Sequence, residues 1–490
     1  MIIQHDYVFV IHLFAVALLS AAFSYYFCKD AIINHSVGYL RVSFGLKAAV
    51  FCTFIIGLSG YFFIHWSWSG LILGIFLSFL ITLSLIHPKY AISFFTFMMI
   101  SRPWEFVEAE LFSSFPRDFF YICALSFIAH SLIQKKFYFR WNLACTFTLG
   151  YAVWSFFSVF VTVNPNYFLY EYMEVFSKGI IIYFLIVNIV DREDYIYPIQ
   201  VALVTAILEK AVTSFYKSVV LGITADGDRL TSVGILENSN DIAAILILSV
   251  PFLLARFRKG ISTPLKVIIY SLILTLYSYL IWESKSRGAI LGFGVLFIVW
   301  IFINLKSLKQ IITTSVIGLA ILLGLILSVQ RDSGDINEST NNRITYWKAG
   351  MKMGLKNPIL GVGYSNFQMK LFEYTDGHVG SEGRYKTVHS NWILPWAESG
   401  IPGFILYMSI WITCLFYSWR LRFAHPEFIM ALASYGVAIT FLTHTYMLYP
   451  WILLAIITSS IKFNSSNARN HLLSEERSQS SSLLKGAWNV

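Results

Sequence analysis

The chain has 490 residues, of which 57% are hydrophobic, 17% are aromatic and only 13% are charged. Because so few charged side chains cannot cover the surface of a soluble globule, this composition excludes a soluble protein. The formal net charge of +9 does not indicate a nucleic-acid partner, because the basic residues form no single stripe and are explained better by the topology of membrane loops. We expect an integral membrane protein whose partner is the lipid bilayer.

Apolar runs of about 17 to 25 residues, each long enough to cross a bilayer as a helix, recur along nearly the whole sequence. A non-helical backbone in lipid would leave peptide groups without hydrogen bonds, so the spans must be helical. The sequence therefore predicts an all-α, polytopic helical bundle with about 12 to 15 transmembrane helices. The predicted spans are 7–28, 44–65, 69–86, 88–101, 116–134, 141–162, 172–191, 198–221, 240–256, 264–282, 287–306, 309–329, 401–420, 427–444 and 448–462.

Short loops rich in lysine and arginine fit the cytoplasmic side of the membrane, where positive charge is retained during insertion. These loops are 135–136, 256–260, 306–309 and 419–422. Counting spans from each of them gives one orientation with a single large loop on the extracytoplasmic side. The predicted organisation is a set of N-terminal transmembrane helices over 1–329, the large extracytoplasmic loop over 330–400, C-terminal transmembrane helices over 401–463 and a disordered cytoplasmic tail over 464–490.

The large loop begins with a polar stretch followed by a predicted helix. Residues 331–341 are polar and turn-forming, whereas 342–356 predict an amphipathic helix in which Arg343 points away from the apolar stripe. The stripe, which we expect on the membrane or core side, consists of Ile344, Trp347, Met351 and Leu355. Pro358 then ends the helix.

The rest of the loop contains two turn-forming segments. Gly361 and Gly363 permit a tight backbone turn. The stretch 373–387, "EYTDGHVGSEGRYKT", is flexible enough to form a mobile loop or lid beside a binding site.

The motif "HSNWILPWAESGIPG" covers residues 389–403, at the boundary between the polar loop and the next apolar run. If the segment is helical, one face carries His389, Trp392, Trp396 and Gly400. Glu398 points elsewhere, and it either orients the histidine or caps the following helix. Residues 399–403 break the helix and start the next one, with Pro402 in its first turn. An imidazole held at the membrane rim suits a base that acts on a sugar hydroxyl.

The same residues carry a family resemblance. "HS" at 389–390, nine further residues and G-x-x-G at 400–403 resemble the H-[N/S/Q]-x9-G-x-x-G signature of the O-antigen ligase and O-antigen polymerase superfamily. The R-x-x-x-W-x-x-G pattern at Arg343, Trp347 and Gly350 resembles the outer-loop region of that superfamily.

Two earlier segments extend the resemblance. "DRLTSVGILENSNDIAAI" at 228–243 resembles the family's R-x-x-G-x-x-x-N-x-N loop, with one extra residue between Arg229 and Gly234. "SKSRGA" at 284–289 resembles the entry to a later span. The matches follow the family's order over residues 228 to 420, whereas before residue 220 the likeness is in hydropathy alone.

The resemblance implies a GT-C-like, all-helical glycosyltransferase of the cell envelope, located in the bacterial inner membrane with its active site on the periplasmic face. Such an enzyme moves a glycan from undecaprenyl diphosphate to an acceptor hydroxyl on lipid A-core, on another glycan or on protein, as in lipopolysaccharide or other polysaccharide biosynthesis. It needs neither a metal nor a nucleotide cofactor. The sequence itself also predicts no nucleotide cofactor, because it contains no glycine-rich nucleotide-binding motif.

The resemblance also assigns site residues. His389 becomes the catalytic residue, because an imidazole with a pKa near about 6.5 is neutral at working pH and can take a proton from the attacking hydroxyl. Three arginines are expected to bind the diphosphate, since the guanidinium fork matches phosphate oxygens: Arg229, Arg343 and Arg287. The supporting motif residues are Trp347, Ser390, Glu398, Gly400 and Gly403.

Alternatives to this interpretation stay open at the level of the sequence. A polymerase would use the same donor, although the histidine and arginine–tryptophan motifs favour a ligase. A transporter would carry ionisable residues deep inside its spans, where the candidates are Lys178, Glu209 and Lys210, all expected near span ends. Each arginine has an ordinary explanation too, because Arg229 can snorkel to lipid headgroups and Arg287 can anchor a helix end.

Overall fold

The structure is a computed structural model, and it describes residues 88–102, 115–133, 139–190, 192–225, 228–260, 264–305, 307–328, 333–375 and 386–461. Within these ranges the regular secondary structure is helical, apart from one isolated bridge between Ala225 and Arg229. The predicted all-α membrane class is therefore confirmed. The predicted spans 7–28, 44–65 and 69–86, the tail 464–490 and most of the predicted lid lie outside the described residues.

We number the α-helices of the described ranges in chain order. They are α1 (Pro88–Ser101), α2 (Phe115–Ile133), α3 (Leu143–Phe157), α4 (Pro165–Glu171), α5 (Ser177–Ile189), α6 (Ile196–Phe215), α7 (Ser239–Gly260), α8 (Pro264–Glu283), α9 (Arg287–Asn304), α10 (Leu308–Ser328), α11 (Ser333–Lys356), α12 (Phe367–Tyr374), α13 (Ile393–Arg420), α14 (Pro426–Ala438) and α15 (Leu448–Ile461). Single π-helical turns follow α4 at Tyr172–Phe176 and α6 at Tyr216–Val220.

Six helical stretches of the described chain are long and apolar enough to cross a membrane, judged by length and composition. They are Leu143–Val161, Pro165–Ile189, Glu193–Val220, Lys266–Glu283, Arg287–Asn304 and Ile393–Arg420. Shorter apolar helices lie between them. The number of about 12 to 15 spans concerns the whole chain and stays a prediction.

Two ionisable residues lie where we did not expect them. Glu209 and Lys210 are fully buried on α6, well inside the candidate span Glu193–Val220, so the prediction that they lie near span ends is wrong. Glu209 Oε1 accepts a hydrogen bond of 2.8 Å from the Thr213 hydroxyl. An acid and a base that neighbour each other inside a span lower the cost of burying either one.

Helix α11 differs from its prediction at its beginning. It starts at Ser333, so residues 333–341 form helix and not the predicted turn. The segment from Ser333 to the predicted start contains no proline, and nothing in its backbone chemistry stops a helix there.

The face that α11 buries within the protein consists of residues outside the predicted apolar stripe, and the place of that stripe on the membrane or core side stays a prediction. Tyr346, Ala349 and Met353 are buried, whereas Ile344 and Leu355 are exposed on the protein surface. A glycine determines which face of α11 packs against α13. The Trp396 indole lies directly over Gly354, where an added Cβ would be only 2.1 Å from its Nε1. The close approach of α13 to α11 therefore depends on the absence of a side chain, a signal that an apolar stripe does not contain.

The buried apolar residues form two clusters. The larger cluster lies inside the bundle and includes most of α7, α14 and α15. The smaller cluster joins α11, α12 and the start of α13, and consists of Tyr346, Ala349, Met353, Val362, Phe367, Leu371, Val388, Leu394 and Ala397. This second cluster supports the segment that contains His389.

Candidate active site

His389 lies in a loop, not on a helix. Helix α13 begins at Ile393, and His389 has a φ of 49°, in the left-handed region that few non-glycine residues occupy. The prediction that His389 shares a helical face with Trp392 and Trp396 is therefore wrong. The backbone carbonyl of His389 accepts a hydrogen bond of 3.3 Å from Nε1 of Trp347, which fixes the loop against α11.

The loop is fastened on its other side by Asn391, which is fully buried. The Asn391 backbone amide donates to the Ile439 carbonyl at 3.1 Å, and its side-chain oxygen accepts from the Thr445 hydroxyl at 3.0 Å. Ser390 is buried as well, and its hydroxyl accepts from the backbone amide of Ile393, which caps the first turn of α13. These contacts hold the histidine in one position relative to the segment 439–445.

The surroundings of His389 favour its neutral form. Burial lowers the pKa of His389 to about 4, Arg343 and Lys386 act in the same direction, and Asp241 opposes them. The imidazole is therefore unprotonated at neutral pH and can accept a proton. The charges of Arg343 and Asp241 both act on the pKa of His389, which indicates that α11 and the start of α7 lie near the histidine.

Arg343 and Arg229 belong to this neighbourhood in different ways. Arg343 is half-buried on α11, one turn before Trp347. Arg229 is half-buried too, and its Nε donates to the Ser284 carbonyl at 3.0 Å while its Nη2 donates to Asn240 Oδ1 at 2.9 Å. Asn240 directly precedes Asp241 in the first turn of α7. The loop that contains Arg229 is therefore connected, through Asn240, to the residue whose charge acts on His389.

Arg287 is the first residue of α9 and is exposed. No hydrogen bond or ion pair joins it to His389 or to the other two arginines within the described residues. The same helix end reaches the histidine loop through packing, because Phe441 lies against Gly288 and its ring centroid is 6.1 Å from that of Trp347. The amino-terminal ends of α7 and α9 thus lie near the middle of α11, where Arg343 and Trp347 are located.

Sequence reasoning missed a buried chain of three polar side chains behind the loop. The Tyr435 hydroxyl lies 2.7 Å from Nδ1 of His444, and Nε2 of His444 lies 2.9 Å from Oδ1 of Asp241. His444, the middle member of this chain, is fully buried. The one feature of the sequence that could have indicated Asp241 is its position directly after the N-x-N motif. Its partners could not be found in this way, because they lie about two hundred residues away in the chain.

Glu398 has a different role from both alternatives that its sequence position suggested. Its two oxygens accept hydrogen bonds from the backbone amides of Ser365 at 3.0 Å and Phe367 at 2.9 Å, and the Tyr446 hydroxyl donates to it as well. Glu398 therefore caps α12, whose first amides have no partner within the helix, and its hydrogen bonds do not reach His389. It neither orients the histidine nor caps the helix that follows it.

The predicted break at Gly400 is confirmed. Gly400 has φ 64° and ψ −166° and divides α13 into a short first part and a long second part. The Ile401 amide donates to the Pro358 carbonyl at 2.8 Å, and the Val362 amide donates to the Ala397 carbonyl at 2.9 Å. The glycine motif therefore joins the break in α13 to the turn after α11, where Gly361 also has a positive φ of 66°.

Gly403 follows within the second part of α13, where Trp154 lies against it. A Cβ on Gly403 would come within 3.1 Å of Cδ1 of Trp154, whose indole also donates to the Ser399 carbonyl at 2.9 Å. The second glycine of G-x-x-G thus permits the close packing of α3 against α13.

Gly400→Ala should lower the thermal stability of the purified protein. Alanine rarely adopts a φ of 64°, and its Cβ would lie 2.5 Å from the Ile359 carbonyl oxygen. Backbone strain of this kind costs about 1 to 3 kcal/mol before the steric overlap is counted. The measurement is the midpoint of thermal unfolding in detergent, with Gly436→Ala as the control, because the atoms nearest to a Cβ there are at 3.8 Å. Equal midpoints for the two variants would contradict this account.

The tryptophans of the motif serve packing. Trp392 donates from Nε1 to the Thr440 hydroxyl at 2.9 Å, and its ring meets Trp411 nearly perpendicularly at 4.9 Å. Trp396 covers Gly354, as described above, and donates to the Met351 carbonyl at 3.3 Å. Neither indole is placed as a platform for a sugar ring.

A cavity of about 400 Å³ lies next to the capped end of α12. His389 and the three arginines do not line it, but Thr387 does, two residues before the histidine. The lining residues are Met99, Arg102, Tyr167, Glu171, Glu174, Val175, Lys178, Ile235, Ser365, Phe367, Gln368, Thr387, Leu394, Glu398, Thr443, Tyr446, Met447, Leu448 and Tyr449.

Comparison with known proteins gives one family match. Residues 270–408 match the family model described as O-antigen ligase. The matched range includes Arg287, Arg343, His389 and the G-x-x-G motif, and it does not include Arg229. No curated protein matches the chain. The match confirms the resemblance to the O-antigen ligase superfamily and indicates an enzyme of the ligase or polymerase type that acts on glycans and lipid-linked substrates.

Proposed function

We propose that this membrane protein, which carries an O-antigen ligase domain, transfers a glycan from undecaprenyl diphosphate to an acceptor hydroxyl on lipid A-core. The observation that supports the proposal most is the fixed, neutral imidazole of His389 beside Arg343 and Asp241. In this proposal the reaction takes place on the periplasmic face of the inner membrane, opposite the short basic loops.

The proposed reaction is a direct displacement. The acceptor oxygen attacks the anomeric carbon of the first donor sugar, and Nδ1 or Nε2 of His389 takes the hydroxyl proton. The bond between the anomeric carbon and the diphosphate oxygen breaks, and the diphosphate leaves with the electron pair. The configuration at the anomeric carbon inverts. Arg343 and Arg229 stabilise the charge that develops on the leaving group, because guanidinium donors are strongest toward charged oxygens.

The charge of Arg343 acts on His389 differently before and after the donor binds. In the free enzyme burial is the main cause of the lowered pKa of His389, and Arg343 lowers this pKa further. A bound diphosphate compensates the positive charge of Arg343, which raises the proton affinity of His389 at the stage where it must accept a proton. Asp241 stabilises the resulting imidazolium. The arrangement therefore couples donor binding to the strength of the base.

The rate at low donor concentration should stay high well below pH 6.5. The sign follows from the lowered pKa, since a base with a pKa of about 4 loses its activity only when the pH falls through that value. A histidine with the ordinary pKa of 6.5 would already be mostly protonated at pH 5. The measurement is the pH dependence of kcat/KM, which reports the free enzyme. An acid limb centred near pH 6.5 would contradict the described environment.

A deletion strain separates the ligase from the polymerase that shares its donor. If the protein is a ligase, cells without it should accumulate finished polymer on the undecaprenyl carrier. If it is a polymerase, the carrier and the lipid A-core should bear single repeat units instead. Gel separation of the lipid-linked and core-linked glycans, followed by mass spectrometry, distinguishes the two outcomes.

One observation favours a transporter as the second candidate, namely the buried neighbours Glu209 and Lys210 inside a candidate span. The double variant Glu209→Gln, Lys210→Met removes both charges together and avoids leaving one of them unpaired. Under the transferase proposal it keeps its glycan-transfer activity. The transporter would be favoured if the double variant lost transport of the glycan while substitution of His389 left glycan transfer unchanged.

A further inference from the structure

The cavity beside α12 lies between the two loops that the proposed reaction uses. Ile235 lines one side and belongs to the loop after Arg229, while Thr387 lines another side and precedes His389 by two residues. The remaining walls come from the end of α1, from α4 and its π-helical turn, from α5, from the start of α12, from the first part of α13 and from the segment 443–449. A molecule in this cavity would therefore lie beside the segment that leads to His389.

The polar groups that line the cavity are of the kind that binds sugar hydroxyls. They include the Tyr167 hydroxyl, the Glu171 carboxylate, the Gln368 amide and the Thr443 hydroxyl. Thr443 Oγ1 is buried and has no hydrogen-bond partner among the described residues, so a bound hydroxyl would satisfy it. Carboxylate and amide side chains together offer acceptors and donors at fixed positions, as the alternating hydroxyls of a sugar require.

A local irregularity places the acidic residues in this wall. The π-helical turn Tyr172–Phe176 follows Glu171 directly and contains Glu174 and Val175, both of which line the cavity. Single π-turns within α-helices occur frequently at functional sites, because the extra residue changes the direction of the side chains around it. The candidate span Pro165–Ile189 has 25 residues, more than the roughly 20 that cross a bilayer, so these first turns can extend beyond the hydrocarbon core.

The charges of the cavity do not favour a diphosphate as its ligand. The Lys178 ammonium is bound to Glu174 at 2.8 Å, which compensates its charge. Glu171 lies in the same lining as Arg102, so the basic groups have no excess over the acidic groups there. A carboxylate repels a diphosphate but accepts hydrogen bonds from neutral hydroxyls.

We propose that this cavity binds the terminal sugar of the acceptor and presents one of its hydroxyls to His389. The proposal rests on the proposed function and adds to it a second binding site, separate from the arginines that hold the donor. Glu171 and Gln368 recognise the acceptor hydroxyls, and the ring of Tyr167 covers the sugar at the open side.

The test measures sugar binding without requiring transfer. The probe is core oligosaccharide, freed from lipid A and taken from the strain of origin, whose binding to the full-length protein is followed by saturation-transfer NMR. The double variant Glu171→Gln, Gln368→Ala should bind it about tenfold more weakly, a loss expected for two hydrogen bonds. Thr443→Val, which keeps the shape of the side chain, should also weaken binding. Glu373→Gln on the exposed side of α12 is the matched control and should bind like the wild type.

A parallel measurement of undecaprenyl diphosphate affinity separates the two sites. The double variant should bind this lipid as the wild type does, and a weakened affinity there would overturn the assignment to the acceptor. Equal oligosaccharide binding by all variants, or none by the wild type, would overturn it too. If the oligosaccharide binds as described and the wild type transfers no glycan, the sugar site stands and the proposed function falls. If the wild type transfers glycan and the cavity variants leave oligosaccharide binding unchanged, the proposed function stands and the sugar site falls.

Discussion

Replacing His389 by glutamine should reduce glycan transfer by about 10² to 10⁴ while the protein stays folded, because this range is what a positioned general base contributes. Glutamine keeps a polar side chain of similar length but cannot take up a proton. The loop does not depend on the imidazole for its position, since the described hydrogen bonds that fasten it come from the backbone of His389 and from Asn391. Glutamine adopts a φ of 49° less readily than histidine does, so the unfolding midpoint is measured together with the transfer rate.

The measurement uses purified protein with the lipid-linked donor extracted from a deletion strain, and lipid A-core as acceptor. His425→Gln provides the matched control, because His425 sits at the start of α14 beside Glu193 and Glu427, at 3.0 and 3.1 Å, and has no part in the proposed reaction. The control should keep wild-type transfer. Undiminished product from His389→Gln, with an unchanged unfolding midpoint, would remove the base assignment and leave the base unidentified.

The features that sequence predicted correctly depend on local chemistry. Pro358 ends α11 after Lys356, and Gly400 breaks α13 between two helical parts, because proline and glycine act on the backbone at their own positions.

The features that sequence did not predict depend on partners far along the chain. Glu398 caps α12 from 31 residues away, so neither of the two roles suggested by its neighbours applied. Asp241 and His444 are separated by 203 residues, and no periodicity or spacing in one sequence joins them. The contact between α11 and α13 was not predicted for the same reason, since it depends on Gly354, which leaves room for the Trp396 indole.

Arg343→Lys should lose about tenfold to 100-fold of the transfer rate although the charge is kept, because it replaces a planar fork with a single point charge. Hydrogen bonds to charged groups contribute roughly 1.5 to 3 kcal/mol each, and one of the two made by a bidentate guanidinium would be lost. Lysine keeps the positive charge and the aliphatic stem at this half-buried position of α11, so the variant should unfold at the wild-type temperature. Its affinity for undecaprenyl diphosphate should fall in parallel with the rate.

Arg229→Lys should lose activity and stability together, which distinguishes the two arginines. Its guanidinium joins the Ser284 carbonyl to Asn240, and a lysine ammonium cannot reach both acceptors in the same geometry. Arg420 is exposed at the far end of α13, and Arg420→Lys is the control for the effect of replacing an arginine by a lysine. If Arg229→Lys unfolds earlier but binds undecaprenyl diphosphate normally, Arg229 positions α7 and Asp241 without contacting the donor. If both variants keep full activity and lipid affinity, bidentate binding of the diphosphate is excluded, and a single positive charge at each of these positions is sufficient for the reaction.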